Sequence, residues 1–337
     1  MTTGDVNAKG SADTESDGPK MRDVFSDVDL DTAIATNPAG FAIAELGVRD
    51  PRILTLSADL GAALADFRKR TSGRYIELGI AETNSISVAA GLAASGFTPY
   101  VFSMAAFGVL KCAEQLRTDA AYNRLPVRLV GRMTGLAMGL FGTSHHAVED
   151  IAMARAITGL SVIAPADPQS VLSLMRSTLD YEGPVYIRVS EDAQPVYDEP
   201  PKYEPGKLLR VRRGTDVTLI GHGMGVGLAV RAAAQLADEG VQAEVLDAAW
   251  LKPFDEATVV NSARTTGRIL SIEDHHVIGG LTSAVAEAVA RAGVSARLDS
   301  VALPDERLAV DFPAKLYERY GLTVAGVVEN ARALLER

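Results

Sequence analysis

Glu82 ends the stretch Tyr75-Ile-Glu-Leu-Gly-Ile-Ala-Glu82, where a glycine, an acid and a helix start fall in an order that suits proton chemistry. A short apolar strand runs up to Gly79, and a small-residue helix follows. Ile80, Val88, Gly91, Leu92 and Ser95 keep helical spacing, which puts Glu82 in the first turn. The helix dipole tolerates a carboxylate there, and apolar neighbours would couple it tightly to any hydrogen-bond partner. On these residues alone two readings stand: an acid that complements the dipole, and an acid that relays a proton to a bound group.

Other chemistry-bearing residues narrow the field. Gly221-His-Gly-Met-Gly-Val-Gly227 follows a strand, but Val226 stands where a dinucleotide fingerprint needs its third glycine. The pair His275-His276 has no third and fourth ligand at zinc spacing. A single cysteine, Cys112, leaves no intrachain disulfide framework.

The elements that must position Glu82 alternate along the chain. Residues 1–24 are Gly-, Ser-, Asp- and Thr-rich and read as a disordered tail. A helical pattern begins at Asp31, with Asn37-Pro38 able to cap and open a helix ending near Gly47. Strands are expected at Arg52–Ser57, Pro99–Phe102, Pro126–Val130, Ser161–Ala164 and Val185–Val189. Helices fall between them, among them one over Ala105–Tyr122 and one near Val148–Thr158. Residues 191–207 hold Pro195, Pro200, Pro201 and Pro205 without periodicity and read as a linker. Beyond it, Val217–Ile220, Ala243–Leu246 and Arg268–Ile272 alternate with helices again. The expected fold is α/β: a doubly wound, mainly parallel-sheet domain over 25–190, and a smaller α/β domain over 208–337.

Composition agrees with two soluble domains. The 337 residues are 47% hydrophobic and 23% charged, which is ordinary for a globular protein large enough for two cores. A net charge of -10 and a pI near 5.1 argue against general nucleic-acid binding and suit a cytoplasmic protein. Aromatics at 6% would make a poor base-stacking platform. No apolar run reaches membrane-spanning length, and the N-terminus shows no charged-then-apolar signal.

Gly79-Ile-Ala-Glu82 before an Ala/Gly-rich helix resembles the signature of thiamine-diphosphate enzymes of the transketolase and deoxyxylulose-phosphate-synthase group. The resemblance runs from about Asp31 to Arg337. It implies that Glu82 touches the aminopyrimidine ring of thiamine diphosphate, with Ile80 beside it in the cofactor site. A carboxyl at one ring nitrogen favours the imino tautomer, whose exocyclic nitrogen then removes the thiazolium proton. The resemblance also implies that Phe107, in Phe-Ser-Met-Ala-Ala-Phe107, stacks on that ring. Gly142-Thr-Ser-His-His-Ala-Val-Glu149 resembles the family's Gly-Pro-Thr-His-Gln-Pro-Val-Glu, so His145 is expected to face the reacting carbons; His146 is given no role. Leu251-Lys-Pro-Phe-Asp255 and Glu273–Gly280 match structural signatures of the family's C-terminal domain.

Departures from the family are equally informative. Single-chain members carry a preceding domain whose Gly-Asp-Gly and Asn hold magnesium and the diphosphate, and no Gly-Asp-Gly occurs here. The chain is therefore expected to be the pyrimidine-binding plus C-terminal subunit of a split enzyme. An N-terminal partner subunit would supply the Mg2+ and diphosphate ligands, in a heterotetramer built on a two-fold pair of this chain. The expected substrate pocket comprises Asn37, Asp59, Ala63, Met133, Phe141, Ala164 and Arg188. Asn37, Ala63, Met133 and Ala164 stand where family members carry cations or polar groups, and Phe141 stands where they carry an acid. Arg188 matches a phosphate-binding arginine of the synthase branch, and equally reads as a strand-end arginine. The activity expected is transfer of a ketol or acyl unit from a donor outside the usual sugar-phosphate pair. Two rivals are a β-type subunit of a 2-oxo acid decarboxylating enzyme and a non-catalytic scaffold.

Overall fold

The computed structural model describes residues 30–191 and 193–336; the tail expected over 1–24 lies outside them. Twelve strands form two sheets. Those of the first half are β1 (Ile53–Ser57), β2 (Tyr75–Glu77), β3 (Thr98–Met104), β4 (Arg128–Arg132), β5 (Ser161–Ile163) and β6 (Val185–Arg188). Those of the second half are β7 (Leu209–Arg212), β8 (Val217–Gly221), β9 (Ala243–Asp247), β10 (Trp250–Lys252), β11 (Arg268–His276) and β12 (Arg297–Leu303). The first sheet has the order β10-β5-β6-β4-β3-β1-β2, parallel except at β10; the second has the order β12-β11-β8-β9-β7, parallel except at β7.

The strands alternate their side chains between two buried faces, as doubly wound sheets require. Leu54, Leu56, Val101 and Leu129 pack with Ile86, Ala89 and Ala93 of the helix Glu82–Ala94. Ile53, Tyr100, Phe102 and Val130 face the other way, onto Phe41 and Ile43 of the helix Pro38–Arg49. Asn37 caps that helix as expected, its Oδ1 accepting from Gly40 N at 3.2 Å, although the helix runs on past Gly47 to Arg49.

The segment after the linker does not keep to itself. Trp250–Lys252 leaves the second sheet's neighbourhood and pairs antiparallel with β5, so the first sheet takes its edge strand from beyond residues 191–207. The core on the Leu54 face continues into Ile220, Leu246 and Ile269 of the second sheet. Residues 191–207 carry no strand or helix where described, and Asp167 Oδ2 holds them by accepting from Val196 N and Tyr197 N, each at 2.8 Å. Among the described residues no helix is long and apolar enough to cross a membrane.

Candidate active site

The expected residues gather at the carboxyl ends of the parallel strands, where open α/β sheets place their ligands. The turn after β2 is shaped by Glu77, whose Oε1 accepts from Asp59 N at 3.1 Å and from Gly79 N at 3.0 Å. Gly79 takes φ +67°, a left-handed turn that a side chain would strain, and the helix starts at Glu82 three residues later. Glu82 thus sits in the first turn, with its side chain only 5% exposed, while Ile80 beside it is 76% exposed.

From β3 the chain enters a π-helical turn, Ala106–Lys111, where the sequence predicts a regular helix over Ala105–Tyr122. Phe107 rests there against Ala105, Ala106 and Ala147. The loop after β4 brings His145 edge-on to Phe107, ring centroids 5.1 Å apart at 74°. Phe141 lies 4.9 Å from the His145 ring, tilted 35° to it, and Ser144 Oγ meets His145 Nδ1 at 2.9 Å. Reciprocal backbone bonds between Gly135 and Ala147, both 3.0 Å, close the loop behind them. His146 is buried, its Nε2 3.4 Å from Gly139 O, and burial lowers its pKa, so it holds the loop as a neutral ring. Phe107, His145 and Phe141 therefore assemble from segments scattered over the sequence, and the helix that opens with Glu82 packs against the turn that carries Phe107.

Comparison with known proteins decides what this cluster belongs to. The chain matches the transketolase pyrimidine binding domain over residues 35–195 and the transketolase C-terminal domain over residues 206–327. It is 33% identical to a subunit of the apulose-4-phosphate transketolase of Phocaeicola vulgatus, over 87% of this chain and 95% of that protein. It is 38% identical to a 6-deoxy-6-sulfo-D-fructose transketolase subunit of a Clostridium species, over 87% of this chain and 92% of that protein. A solved split gene transketolase, an inactive beta4 tetramer, superposes with a TM-score of 0.83 at 35% identity, over 89% of this chain and 97% of that one. The chain belongs to the transketolase family. It is the transketolase subunit that carries the pyrimidine-binding and C-terminal domains, of an enzyme type that depends on thiamine diphosphate and on a partner chain.

The transketolase site residues fit the pyrimidine half of that cofactor. A carboxyl almost wholly withdrawn from water, a part-exposed aromatic ring beside it and the exposed Ile80 offer one directional bond and apolar walls to a flat heterocycle. Among the described residues no group of three or more His, Cys, Asp or Glu is arranged to hold a metal ion. Cys112 is no nucleophile, because burial, then the Glu82 charge, pushes its thiol up to about 12.

The substrate-pocket expectations divide. Asn37 Nδ2 donates to Ala63 O at 2.8 Å, which joins those two positions. Asp59 and Met133 follow β1 and β4 in left-handed backbone, φ 61° and 56°, one exposed and one half-buried. Phe141 is 61% exposed. Ala164 and Arg188 are both buried. Arg188 Nε donates to Asp150 Oδ2 at 2.9 Å, Nη1 to Asp274 Oδ1 at 2.6 Å, and Nη2 to Ala147 O and Asp274 O. Burial lowers the pKa of this guanidinium, and the carboxylates of Asp150 and Asp274 more than offset it, so it stays well above its ordinary value. Its donors are thus engaged by two buried carboxylates and two backbone carbonyls.

One side chain at Glu82 was not singled out by the sequence. Lys111 Nζ lies 2.8 Å from Glu82 Oε2. The available signal was its spacing, four residues after Phe107 on the same helical face.

Proposed function

We propose that this chain is the pyrimidine-gripping half of a two-component transketolase-like enzyme, moving a ketol or acyl unit from a donor outside the usual sugar-phosphate pair. The observation that carries it is the buried Glu82 carboxyl, opening a helix that packs against the turn carrying Phe107. Glu82 would hold a proton at the pyrimidine, and Phe107 and Ile80 would orient the ring and keep water from it. Thiamine diphosphate, when bound, supplies the nucleophilic carbon and electron sink for cleavage beside a carbonyl. His145, steadied by Ser144 and Phe107, is placed to move a proton at the donor or acceptor hydroxyl.

A partner subunit would supply the Mg2+ and diphosphate ligands, on a two-fold pair of this chain. Supporting this, the Phocaeicola relative is itself a transketolase subunit and is matched over nearly its whole length. The beta4 tetramer of the split relative, for its part, is inactive by its own description. The test is reconstitution. Turnover should appear only when the chain is mixed with a partner that binds the cofactor's diphosphate, in a complex holding two copies of each. Turnover by the purified single chain, or an active one-to-one complex, overturns the reading.

A further inference from the structure

Lys111 already makes both contacts that the aminopyrimidine is expected to make. Its ammonium lies 2.8 Å from Glu82 Oε2 and 5.4 Å from the centroid of the Phe107 ring, within cation–π range. A flat ring that hydrogen-bonds Glu82 while lying on Phe107 needs the volume in which that ammonium stands. Resting on the functional reading above, we infer that Lys111 is a placeholder for the aminopyrimidine: it neutralises Glu82 in the chain without cofactor, and leaves both contacts as the cofactor enters.

The physical need for such a group is plain. The Glu82 side chain is 5% exposed, and a carboxylate withdrawn from water without a partner is costly. Lysine suits a temporary role because its charge sits on a flexible four-carbon stem, and this side chain is 52% exposed. Its ammonium can swing into solvent without disturbing the π-helical turn that carries it. Departure is also required for the chemistry. An ammonium left at 2.8 Å would hold Glu82 Oε2 in the place where the ring has to bond it. Lys111 is on this account a positioning residue, acting through Glu82.

The experiment uses the complex of this chain with its diphosphate-binding partner. Lys111 in the wild-type complex is labelled with an amine-selective reagent, with and without thiamine diphosphate, and the rate is read by mass spectrometry. In parallel, calorimetry gives the cofactor Kd for wild type, Lys111→Met, Glu82→Gln and the double variant, with melting curves to show that each folds. The expected result is faster labelling of Lys111 once cofactor binds. Lys111→Met should tighten the Kd by about two- to fivefold, the scale of a part-exposed ion pair that need not be broken. In the Glu82→Gln background the same change should have no effect. Labelling that stays constant or slows on cofactor binding overturns the inference, as does a weaker Kd for Lys111→Met. A wild-type complex that binds no cofactor overturns both this inference and the functional reading; binding with Lys111 unmoved overturns the inference alone.

Discussion

Arg188 Nη1 lies 2.6 Å from Asp274 Oδ1, and neither side chain has exposed surface. Arg188 ends β6 of the first sheet and Asp274 lies in β11 of the second, so the pair ties the two sheets together. The same guanidinium donates to Ala147 O, two residues beyond His145. A contact between the two sheets and the position of the loop that carries His145 are thereby one network.

Arg188→Met should consequently damage stability and activity together. Removing one member of a buried pair leaves Asp274 and Asp150 as uncompensated buried charges, at a cost of about 3–5 kcal/mol. Chemical denaturation should show a lower midpoint, and activity of the complex should fall with it. An Arg188→Met protein of wild-type stability that loses only affinity for phosphorylated donors would return Arg188 to the substrate pocket.

That arginine also shows where the sequence could and could not be read. Glu82, Phe107 and His145 lie within local motifs, so a resemblance to the transketolase family could single them out as candidates. Arg188 is a strand-end residue whose meaning comes from Asp274, 86 positions away, and no local pattern carries such a pairing. Lys111 and Glu82 meet across 29 positions and two elements. The π-helical winding of Ala106–Lys111 has the same composition as an ordinary helix, so periodicity could not separate them. β10 spans three residues and pairs with a strand of the other domain, too short and too distant a relationship for an alternation pattern. Parallel strands such as β1, β4, β6, β8 and β9 were legible because they are buried on both faces and read as apolar runs, whereas the parallel edge strand β12, largely exposed, was not expected.

Glu82→Gln should leave the fold intact and slow activation of the cofactor by on the order of 10²-fold or more, the scale of a lost proton-transfer group. Deuterium exchange at the cofactor's reactive carbon in the assembled complex measures it directly. An unchanged rate would remove Glu82 from the mechanism.

Asp247 gives the chain a distinct pH dependence. It is fully buried, and burial raises its carboxyl to about 6, against the hydroxyls of Tyr203 and Tyr197 that donate to Oδ2 at 2.6 and 2.8 Å. A carboxyl whose folded pKa is raised binds its proton more tightly in the folded chain than in the unfolded one. Its contribution is full below about pH 4 and fades as pH rises through about 6. Wild type should therefore lose stability relative to Asp247→Asn across that window, by on the order of 3 kcal/mol at most. Denaturant midpoints of the two proteins, measured at about pH 4.5 and about pH 7, check this. A difference that does not vary with pH would show that Asp247 does not titrate there.

Donor choice is expected to follow from the neutral side chains at the pocket positions proposed above. A phosphate dianion that enters a site without a cation loses hydration with nothing to replace it. Asn37 is neutral, with its amide held by Ala63 O and Gly40 N, Ala63 and Met133 carry no donor in their side chains, and Ala164 is buried. Arg188, the cation that would have compensated, is fully engaged with Asp150, Asp274 and Ala147. Phe141, stacked near His145, fills with an apolar ring the place where the family carries an acid for a donor hydroxyl. Small or unphosphorylated donors such as pyruvate and free ketoses should accordingly show higher kcat/KM than xylulose 5-phosphate with the reconstituted complex. Phe141→Asp should move the preference toward polyhydroxylated ketoses by about tenfold, the worth of one hydrogen bond to a charged group. A clear wild-type preference for phosphorylated ketoses would defeat the argument and would place the phosphate-binding cations on the partner subunit.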